Sequence, residues 1–583
     1  MKKLPPVDVV IIGAGWTGLT MAKELATRTG LKILVLERGG PHKTRDYLDS
    51  MDELDYAVRL RMMQPIHDET VTFRHTPRDR ALPVRQYGSF LPGTGVGGSG
   101  EHWSGISYRY YPHDFRRRSH IVENYGTKRV PEDCTVRDWP ITYDDLEPYY
   151  ARAELMMGIS GKAGNLNGRK IAGGNIFEGP RRSEYPTPPM KMPHLAALFR
   201  EAAQSLGYHP FPLPAATTSI PYTNPDGISR AGCSYCGYCE RFGCMVGAKA
   251  QPTNTLMPVL ARRPNFELRT SAHVRRIVVD GAEAQGVQYS DARGEEFLQP
   301  AGLVFLASWT INNTRLLLLS GIGEPYDPDT GRGTLGANLT HQVTIPAATV
   351  FFERPLNSFM GAGSAGVAIG DFDTLDHSQL DFLTGGALYT VCYGTRPIAY
   401  FGTLPPSFRG TSWGSVWKNA AIHYYDRTGL VRFYGEHLAY RANYMDLDPV
   451  YKDRWGDPLI RMTLDWCENE RRMATYITPR AVDVARAMGA VEATPFPGLK
   501  HYDATRYQGT HVQGGTILGA NKTDSVVNRY LQHWRVANLF VLGASAFPQN
   551  PSGNPTLTAV ALTYRTADAV VEKFLQHPGD LAP

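Results

Sequence analysis

Four cysteines stand close together in the middle of the chain, at Cys233, Cys236, Cys239 and Cys244. Their spacing, C-x2-C-x2-C-x4-C, lets thiolates surround one point. It is close to the spacing of bacterial ferredoxins, with the last gap one residue longer, and it favours an iron–sulfur cluster. Zinc sites usually pair two C-x2-C knuckles across a longer loop, so zinc stays an alternative, as do disulfides or free thiols.

An acid–base pair is predicted near the C-terminus. Residues 506–519 read RYQGTHVQGGTILG, and residues 550–558 read NPSGNPTLT. Chemistry at a hydroxyl group needs a base for its proton and a donor that holds the oxygen. His511 suits the base because imidazole titrates near neutrality, and Asn554 suits the donor because an amide binds without changing charge. A core histidine and a simple helix start at Pro555 are the structural alternatives.

The start of the chain carries a glycine pattern that binds nucleotides. Residues 7–12 (VDVVII) form an apolar, β-branched run typical of a buried parallel strand. Gly13, Gly15 and Gly18 follow at once with G-x-G-x-x-G spacing. Gly13 would make the tight turn, Gly15 would let the backbone approach a pyrophosphate, and Gly18 would let helix and strand pack closely.

A helix, a second strand and an acid complete this pattern. Helical spacing over residues 19–25 precedes an apolar strand over 32–36, and Glu37 follows at the offset of a carboxylate that binds a ribose hydroxyl. The whole unit predicts a dinucleotide site, but it does not separate NAD from FAD. A second glycine-rich loop, residues 92–105 (PGTGVGGSGEHWSG), has no strand before it and would lay bare amides against a flat or anionic ligand.

These motifs together resemble the glucose–methanol–choline (GMC) family of FAD oxidoreductases. The resemblance rests on the N-terminal glycines, the GGSGEHWSG loop, the segment 138–150 (DWPITYDDLEPYY) and the C-terminal motifs, and the middle of the chain is covered least. It implies an α/β fold. A Rossmann-like FAD-binding lobe of the p-hydroxybenzoate hydroxylase type would adjoin an α+β substrate lobe built on an antiparallel sheet.

The resemblance also implies roles for individual residues. His102, in its Gly-Gly-x-x-x-His-Trp context, looks like the histidine bonded to the flavin 8α-methyl in relatives with covalent FAD. A histidine that only hydrogen-bonds beside the ring is the alternative. His511 and Asn554 match the pair in front of flavin N5, although two residues, where many relatives have one, separate His511 from the Gly-Gly-Thr motif. The other residues implied at the cofactor are Gly13, Gly15, Gly18, Glu37, Gly97, Gly98, Trp103, Val274, Ala544, Pro555 and Thr556.

The cysteine segment narrows the resemblance within the family. Residues 233–250 (CSYCGYCERFGCMVGAKA) are similar to the flavin subunits of bacterial membrane-bound sugar, polyol and sugar-acid dehydrogenases, the gluconate 2-dehydrogenase group. Those subunits generally hold a [3Fe–4S] cluster with three cysteines. Because four cysteines stand here, [3Fe–4S] is favoured and [4Fe–4S] stays open. If only three cysteines bind the cluster, Cys239 and Cys244 are the most strongly favoured ligands, and Cys233 is favoured over Cys236.

The resemblance therefore implies an FAD-dependent dehydrogenase that oxidises a secondary alcohol of a sugar acid, sugar or polyol. It implies a multihaem cytochrome c partner and a small subunit whose signal peptide carries the chain to the periplasmic face of the inner membrane. Without such a partner, a cytoplasmic location is expected. A soluble oxidase that reduces oxygen and a non-catalytic flavoprotein relay or assembly subunit are the alternatives, and His511 with Asn554 argues against the relay.

Composition and charge exclude other classes of protein. The 583 residues carry a formal net charge of +5 and include 58 Gly and 42 Pro, which is typical of a large globular chain with many turns. So weak a charge gives no reason to expect nucleic acid. No apolar run reaches about 18 residues, so membrane contact is expected through partners only. The N-terminal apolar run is too glycine-rich for a signal peptide.

Two discontinuous domains are predicted. The FAD-binding domain takes residues 1–150, 225–335 and 500–583, and the substrate-binding domain takes 151–224 and 336–499. Further strands are predicted over 268–279, 303–308, 344–352, 430–434 and 538–545, and helices over 310–320 and 559–571.

Overall fold

The computed structural model describes residues 1–48, 51–86, 88–359, 361–392, 396–408, 410 and 412–582. Its strands are β1 (Lys2–Lys3), β2 (Val7–Ile12), β3 (Ile33–Leu36), β4 (Val71–Arg74), β5 (Leu82–Pro83), β6 (Asn165–Leu166), β7 (Arg169–Lys170), β8 (Pro210–Pro212), β9 (Tyr222–Thr223), β10 (Ser229–Arg230), β11 (Phe266–Arg269), β12 (His273–Asp280), β13 (Glu283–Ser290), β14 (Glu296–Leu306), β15 (Thr340–His341), β16 (Val343–Phe351), β17 (Gly366–Ile369), β18 (Gly386–Val391), β19 (Thr428–Gly435), β20 (Tyr444–Lys452), β21 (Pro458–Thr463), β22 (Glu492–Pro495), β23 (Val512–Gln513) and β24 (Leu539–Val541). Its α-helices are α1 (Trp16–Arg28), α2 (Arg117–Tyr125), α3 (Tyr143–Met157), α4 (His194–Ser205), α5 (Pro252–Thr255), α6 (Met257–Leu260), α7 (Thr310–Leu319), α8 (Pro397–Tyr400), α9 (Gly414–Tyr424), α10 (Glu468–Ala487) and α11 (Thr556–Ala569).

An eight-stranded sheet forms the centre of the first lobe. Strands β11, β3, β2, β14 and β24 run parallel, and β13 and β12 extend the sheet in antiparallel fashion from β14. Val9, Val10 and Leu34 have no exposed surface, as their continuous apolar runs predicted for strands covered on both faces. The Rossmann-like lobe expected from the sequence is confirmed.

Helix α3 carries the first lobe past the predicted boundary at residue 150. Thr142 caps the helix by accepting from Asp145 N, and the helix runs without interruption to Met157. Tyr150, Ala153 and Met157 lie in the same apolar core as strand β2, beside helix α11. This packing places residues 151–157 with the nucleotide-binding sheet.

A six-stranded antiparallel sheet forms the second lobe. Its order is β22-β16-β19-β18-β17-β8, and helices α10 and α4 pack on it. The second apolar core lies between them and includes Phe199, Val350, Val431, Met473 and Ile477. The antiparallel sheet expected for the substrate lobe is confirmed, and the strands predicted over 344–352 and 430–434 correspond to β16 and β19.

A smaller sheet joins distant parts of the chain. Strand β4 pairs parallel to β21, between β20 and β5 in the order β20-β21-β4-β5. Residues 71–83 therefore share a sheet with residues 444–463, although the sequence assigned the two segments to different domains. In the ranges described above, none of the helices combines the length and the apolar character needed to cross a bilayer.

Candidate active site

A cavity of about 290 Å³ lies between the two main sheets. Ile12, Leu36 and Ala307 line it from the carboxyl ends of β2, β3 and β14, the edge at which open α/β sheets bind ligands. Thr344 and Tyr434 line it from the antiparallel sheet. Apart from Gly18, every residue predicted for the cofactor or for acid–base chemistry lines this cavity: Gly13, Gly15, Glu37, Gly97, Gly98, His102, Trp103, Val274, His511, Ala544, Asn554, Pro555 and Thr556.

The structure gives the three glycines of the N-terminal pattern different surroundings. Gly13 has φ +101°, which favours glycine. A Cβ on Gly18 would lie 2.0 Å from the carbonyl oxygen of Gly13, so the close approach of α1 to the turn excludes a side chain. A Cβ on Gly15 would meet no atom of the described residues within 4 Å, and Gly15 caps α1. The open space at a helix N-terminus suits the pyrophosphate of a dinucleotide.

Alanine substitutions should separate these two roles. Gly18→Ala is expected to destabilise the protein by about 1–3 kcal/mol because the added methyl group overpacks the turn. Gly15→Ala is expected to change the free energy of unfolding by less than about 0.5 kcal/mol but to lower the amount of flavin retained. Denaturant unfolding of apoprotein and the flavin absorbance of purified protein measure the two effects. Gly30→Ala, where a Cβ also meets nothing within 4 Å, is the control.

Glu37 organises the loops around the nucleotide end of the cavity. Its carboxylate accepts from the backbone N–H of Ala14 at 3.0 Å, Gly39 at 2.9 Å and Gly95 at 3.2 Å. A carboxylate has about four acceptor positions, so one remains for a ribose hydroxyl. The contact between Glu37 and a ribose stays a prediction. The hydrogen bonds by which Glu37 holds three loops together were not predicted from the sequence.

His102 lines the cavity with a ring nitrogen that accepts and donates no hydrogen bond among the described residues. The side chain is buried, and within the described residues its Nε2 has no hydrogen-bond partner. Burial, aided by the positive charge of Lys249, lowers the pKa of His102 to about 3. The neighbouring Trp103 is fixed because its Nε1 donates to Ala250 O at 2.8 Å. A neutral imidazole with a free lone pair can act as a nucleophile or accept a hydrogen bond.

One helix end and two strands complete the cofactor side of the cavity. Helix α11 begins at Thr556 with Pro555 as its cap, so its N-terminus faces the cavity. The unsatisfied amides and dipole of this end favour negative charge. Val274 of strand β12 lines the cavity at its nucleotide end, and Ala544, which follows β24, lines its centre.

The hydrogen bonds of His511 fix which of its nitrogens can act as a base. The amide nitrogen of Gln342 faces the carbonyl oxygens of Pro551, Ser552 and Gly553, which can only accept. The oxygen of Gln342 therefore faces His511 Nδ1, at 2.5 Å, and that nitrogen must carry the proton. Nε2 is left unprotonated, as a general base requires.

Asn554 meets this free nitrogen. Its Nδ2 lies 3.1 Å from His511 Nε2, while its Oδ1 is buried with no hydrogen-bond partner among the described residues. The ring of Tyr434 lies 5.8 Å from the ring of His511 and closes the site on the substrate side. The Asn554 amide and His511 Nε2 thus meet at one point in the cavity, and their acid–base role stays a prediction.

Burial keeps the imidazole of His511 uncharged. It lowers the pKa of His511 to about 3, and the neighbouring His341 adds to this effect. At neutral pH the imidazole is therefore unprotonated.

Three further residues at the catalytic end were not predicted. Gln342 orients His511, and Glu240 and Tyr507 line the cavity, with the Tyr507 hydroxyl donating to Glu240 at 2.7 Å. Glu240 directly follows Cys239, so its position beside the cysteine pattern could have drawn attention to it. Gln342 and Tyr507 belong to no recognisable motif.

The cysteine segment forms a tightly wound loop beside the cavity. The four cysteines of segment 233–244 are free thiols; Cys239 is buried and the other three are half-buried. Tyr235 and Arg241 within the segment have φ of 57° and 74°. Non-glycine residues adopt such angles at a cost, and they concentrate at functional sites.

Backbone amides donate to three of the four sulfurs. The contacts are Tyr235 N to Cys233 Sγ at 3.3 Å, Lys249 N to Cys244 Sγ at 3.4 Å, and Gly363 N to Cys239. Burial raises the pKa of Cys233 to about 12 and that of Cys239 to about 11, with a contribution from the neighbouring thiols. Thiols with pKa values this high stay protonated at neutral pH unless they bind a metal ion.

Lys249 links the cysteine loop to the cavity wall. Its buried ammonium donates to three backbone carbonyls, including those of Trp103 and Cys239, at 2.8 to 2.9 Å. The cysteine loop therefore lies directly behind the glycine-rich loop that carries His102.

The spacing of the sulfurs does not fit a closed zinc site. Four thiolates around one zinc ion lie about 3.8 Å apart, from the usual Zn–S length and tetrahedral geometry. In the described part of the chain, three metal-binding side chains bring their donor atoms within 4.8 Å of one another only at His75, Asp465 and His501. No three of the cysteine sulfurs of segment 233–244 therefore lie that close to one another. An iron–sulfur cluster holds its cysteines farther apart because irons and sulfides stand between them.

Comparisons with known proteins identify related families and individual relatives of this chain. Family models described as GMC oxidoreductase match residues 140–344 and 439–563, and a NAD(P)-binding Rossmann-like domain matches residues 11–59. The gluconate 2-dehydrogenase flavoprotein of Pantoea cypripedii is 43% identical over 597 residues, covering 100% of this chain and 96% of the relative. The fructose dehydrogenase large subunit of Gluconobacter japonicus is 28% identical over 590 residues, covering 98% of each chain.

A solved structure has the same fold. Pyridoxine 4-oxidase from Mesorbium loti matches with a TM-score of 0.59 and 16% identity, covering 98% of this chain and 100% of that chain. At this identity the likeness shows the fold alone.

Proposed function

This chain belongs to the GMC oxidoreductase family, and from that membership we propose that it is an FAD-dependent dehydrogenase of a sugar acid, sugar or polyol. The 43% identity to the gluconate 2-dehydrogenase flavoprotein over the full chain supports this substrate class. The reaction is the oxidation of a secondary alcohol to a ketone.

The observation that carries the proposal is the convergence of His511 Nε2 and Asn554 Nδ2, 3.1 Å apart, in the cavity. A substrate hydroxyl beside the pair would replace the Asn554 amide at Nε2 and donate its proton there, while that amide donates to the hydroxyl oxygen. Once protonated, His511 keeps its Nδ1–H on the carbonyl of Gln342, so the positive charge is held without rotation of the ring. The hydroxyl oxygen would thus lose its proton next to the carbon atom from which the hydride must leave.

The residues around the cavity fit FAD. The open space at Gly15, the unpartnered Nε2 of His102 and the N-terminus of α11 would hold its pyrophosphate, its ring edge and its pyrimidine end. FAD supplies the hydride acceptor when it is bound. We further propose a covalent link through His102, whose neutral imidazole has the free lone pair that bond formation needs.

The cysteine loop fits an iron–sulfur cluster that would pass electrons singly to a cytochrome c subunit. Cys233, Cys239 and Cys244 receive backbone amides, which stabilise thiolates, and this favours a three-cysteine [3Fe–4S] cluster; a four-cysteine [4Fe–4S] cluster would need Cys236 as well. The relative named as a large subunit supports a multi-subunit assembly. With a multihaem cytochrome c and a small signal-bearing subunit, the protein would work at the periplasmic face of the inner membrane.

Anaerobic purification followed by iron and sulfide analysis tests this proposal. Sugar acids, sugars and polyols are then added without oxygen, and the flavin absorbance is followed. We expect at least one of them to bleach the flavin. Failure of every substrate to bleach it contradicts the proposal, and rapid peroxide formation by an iron-free protein would favour an oxidase.

The rate of flavin reduction should be insensitive to mild acid. Only unprotonated His511 can accept the proton, so activity is lost as the pH falls through the pKa of His511, which burial holds at about 3. Between about pH 5 and pH 8 we therefore expect a flat profile of the limiting rate in anaerobic stopped-flow experiments. A rate that rises with an apparent pKa near 6.5 would show that His511 titrates as an ordinary exposed histidine.

A further inference from the structure

Two histidines and an aspartate meet outside the cavity, at one edge of the smaller sheet. Strands β4 and β21 are parallel, with Arg74 opposite Thr463, so their carboxyl ends lie at the same edge. His75 directly follows β4, and Asp465 lies two residues after β21. His501 reaches this edge from the segment that leads to β23 and places its Nδ1 2.6 Å from Asp465 Oδ2. Three distant segments of the chain thus bring these side chains together.

The donor atoms of this cluster have nearly the spacing of metal ligands. One nitrogen of each imidazole and one oxygen of Asp465 lie within 4.8 Å of one another. Ligand atoms about 2.0–2.2 Å from a tetrahedral zinc ion stand about 3.4 Å apart. Rotation of the side chains can close this gap, and the side chain of His501, which is 71% exposed, has room to rotate.

Hydrogen bonds to the backbone orient two of the three side chains. His75 Nε2 lies 2.7 Å from the carbonyl oxygen of Tyr502, which can only accept, so in the neutral ring Nδ1 keeps its lone pair. Asp465 Oδ1 accepts from the backbone N–H of Trp466 at 2.8 Å and of Tyr502 at 2.7 Å, which turns Oδ2 towards His501. Metal-binding histidines and carboxylates are typically held by such outer contacts.

Arg471 is a positive charge beside this cluster. Its Nη2 lies 3.7 Å from Asp465 Oδ2, which is too far for a hydrogen bond. The same guanidinium donates through Nη1 to Glu468 and through Nε to the carbonyl oxygen of Lys500, at 2.8 Å in both cases. Arg471 therefore competes for the charge of Asp465 but leaves Oδ2 able to bind an ion. A metal ion would replace the proton through which His501 now contacts this oxygen.

We propose that His75, Asp465 and His501 bind one divalent transition-metal ion of the zinc class, with water completing its coordination. Two imidazoles and one carboxylate suit Zn²⁺, whereas Ca²⁺ and Mg²⁺ prefer sets of oxygen ligands. The site is separate from the cysteine loop and does not depend on the proposed function.

The ion would anchor the segment that carries His511. Tyr502, next to His501, is buried, and its hydroxyl lies 2.7 Å from His341 Nδ1. His341 Nε2 in turn lies 3.0 Å from the carbonyl oxygen of Gly509, which lines the cavity. An ion bound at His501 would hold residues 501–511 at their first residue and oppose local opening of this segment.

The number of zinc ions bound by the tag-free holoenzyme tests the site. Equilibrium dialysis against buffered Zn²⁺ gives the dissociation constant and the equivalents bound. Because loss of an outer contact alone weakens metal binding by about 10- to 100-fold, loss of a ligand in His501→Ala should weaken it by about 100-fold or more. At free Zn²⁺ about ten times the wild-type constant, the variant should therefore bind about one equivalent less than the wild type. Zinc held by the cysteine loop would be counted in both proteins and cancels in this difference.

Two further variants complete the test. His75→Ala should lose the same equivalent as His501→Ala; if it retains no flavin, His501→Ala decides alone. His209→Ala is the matched control, because His209 Nδ1 lies 2.7 Å from Asp371 Oδ1 but, among the described residues, belongs to no group of three such ligands. It should bind as much zinc as the wild type. Equal zinc binding by the wild type and His501→Ala, or the same loss in His209→Ala, overturns the proposal.

Hydrogen exchange tests the anchoring role. Backbone amides of residues 501–511 should exchange more slowly when Zn²⁺ is added to the wild type, and their exchange in His501→Ala should not change. Exchange that is unaltered in the zinc-loaded wild type would refute the anchoring. None of these measurements uses a substrate, so their outcome is independent of whether any sugar acid, sugar or polyol reduces the flavin.

Discussion

Replacing His511 with alanine is expected to slow flavin reduction by substrate about 10³-fold or more, while flavin content stays that of the wild type. The reason is geometric. Gln342 fixes the proton on Nδ1, so Nε2 is the basic atom in reach of a hydroxyl held by Asn554. The variant leaves Asn554 in place but removes the acceptor for the proton. Anaerobic stopped-flow measurement of flavin bleaching at saturating substrate gives the rate.

Two comparisons distinguish a base from a residue that only supports the fold. His423→Ala changes a histidine whose side chain is 45% exposed and should reduce flavin at the wild-type rate. Imidazole added to His511→Ala should restore part of the rate, because it can occupy the space left by the side chain and accept the proton. Wild-type flavin reduction by His511→Ala would refute the assignment of the base.

Features that depend on short stretches of chain could be predicted. The clash between a Cβ on Gly18 and the oxygen of Gly13 arises within six residues, so the glycine spacing already implies the turn. The buried C-terminal parts of β2 (residues 9–12) and β14 (residues 303–306) were likewise visible as continuous apolar runs, because a strand segment covered on both faces favours apolar residues at every position. His511 and Asn554 were identified through family resemblance, and the structure brings them together.

Features that depend on contacts between distant segments could not be predicted. Gln342 and His511 are 169 residues apart, and Glu240 and Tyr507 are 267 apart. A glutamine or tyrosine without a motif gives no signal until folding places it at the site. The pairing of β4 with β21 is similar, because a four-residue strand does not reveal its partner. The placement of α3 in the first lobe also follows from packing, which the composition of the chain does not show.

Replacing a cysteine of this loop should separate flavin reduction by substrate from the later transfer of electrons to an acceptor. Cys239→Ser is expected to remove iron and sulfide from the purified protein and to lower the reduction of a one-electron acceptor such as cytochrome c to background. Flavin bleaching by substrate should continue, because His511 and Asn554 do not contact this thiol. Cys239 suits the test because it is buried, its sulfur accepts from the backbone N–H of Gly363, and Lys249 links its carbonyl oxygen to that of Trp103.

The other cysteines decide which sulfurs hold the cluster. Cys233→Ser and Cys244→Ser should behave like Cys239→Ser, whereas Cys236→Ser should retain iron if three thiolates suffice. Iron loss in Cys236→Ser would instead indicate four ligands. Cys467→Ser changes a thiol at the start of helix α10, outside this loop, and serves as the control. A wild-type protein that is yellow, reduced by substrate and free of iron after anaerobic purification would contradict the cluster, and the backbone amides at the three sulfurs would then serve only to shape the loop.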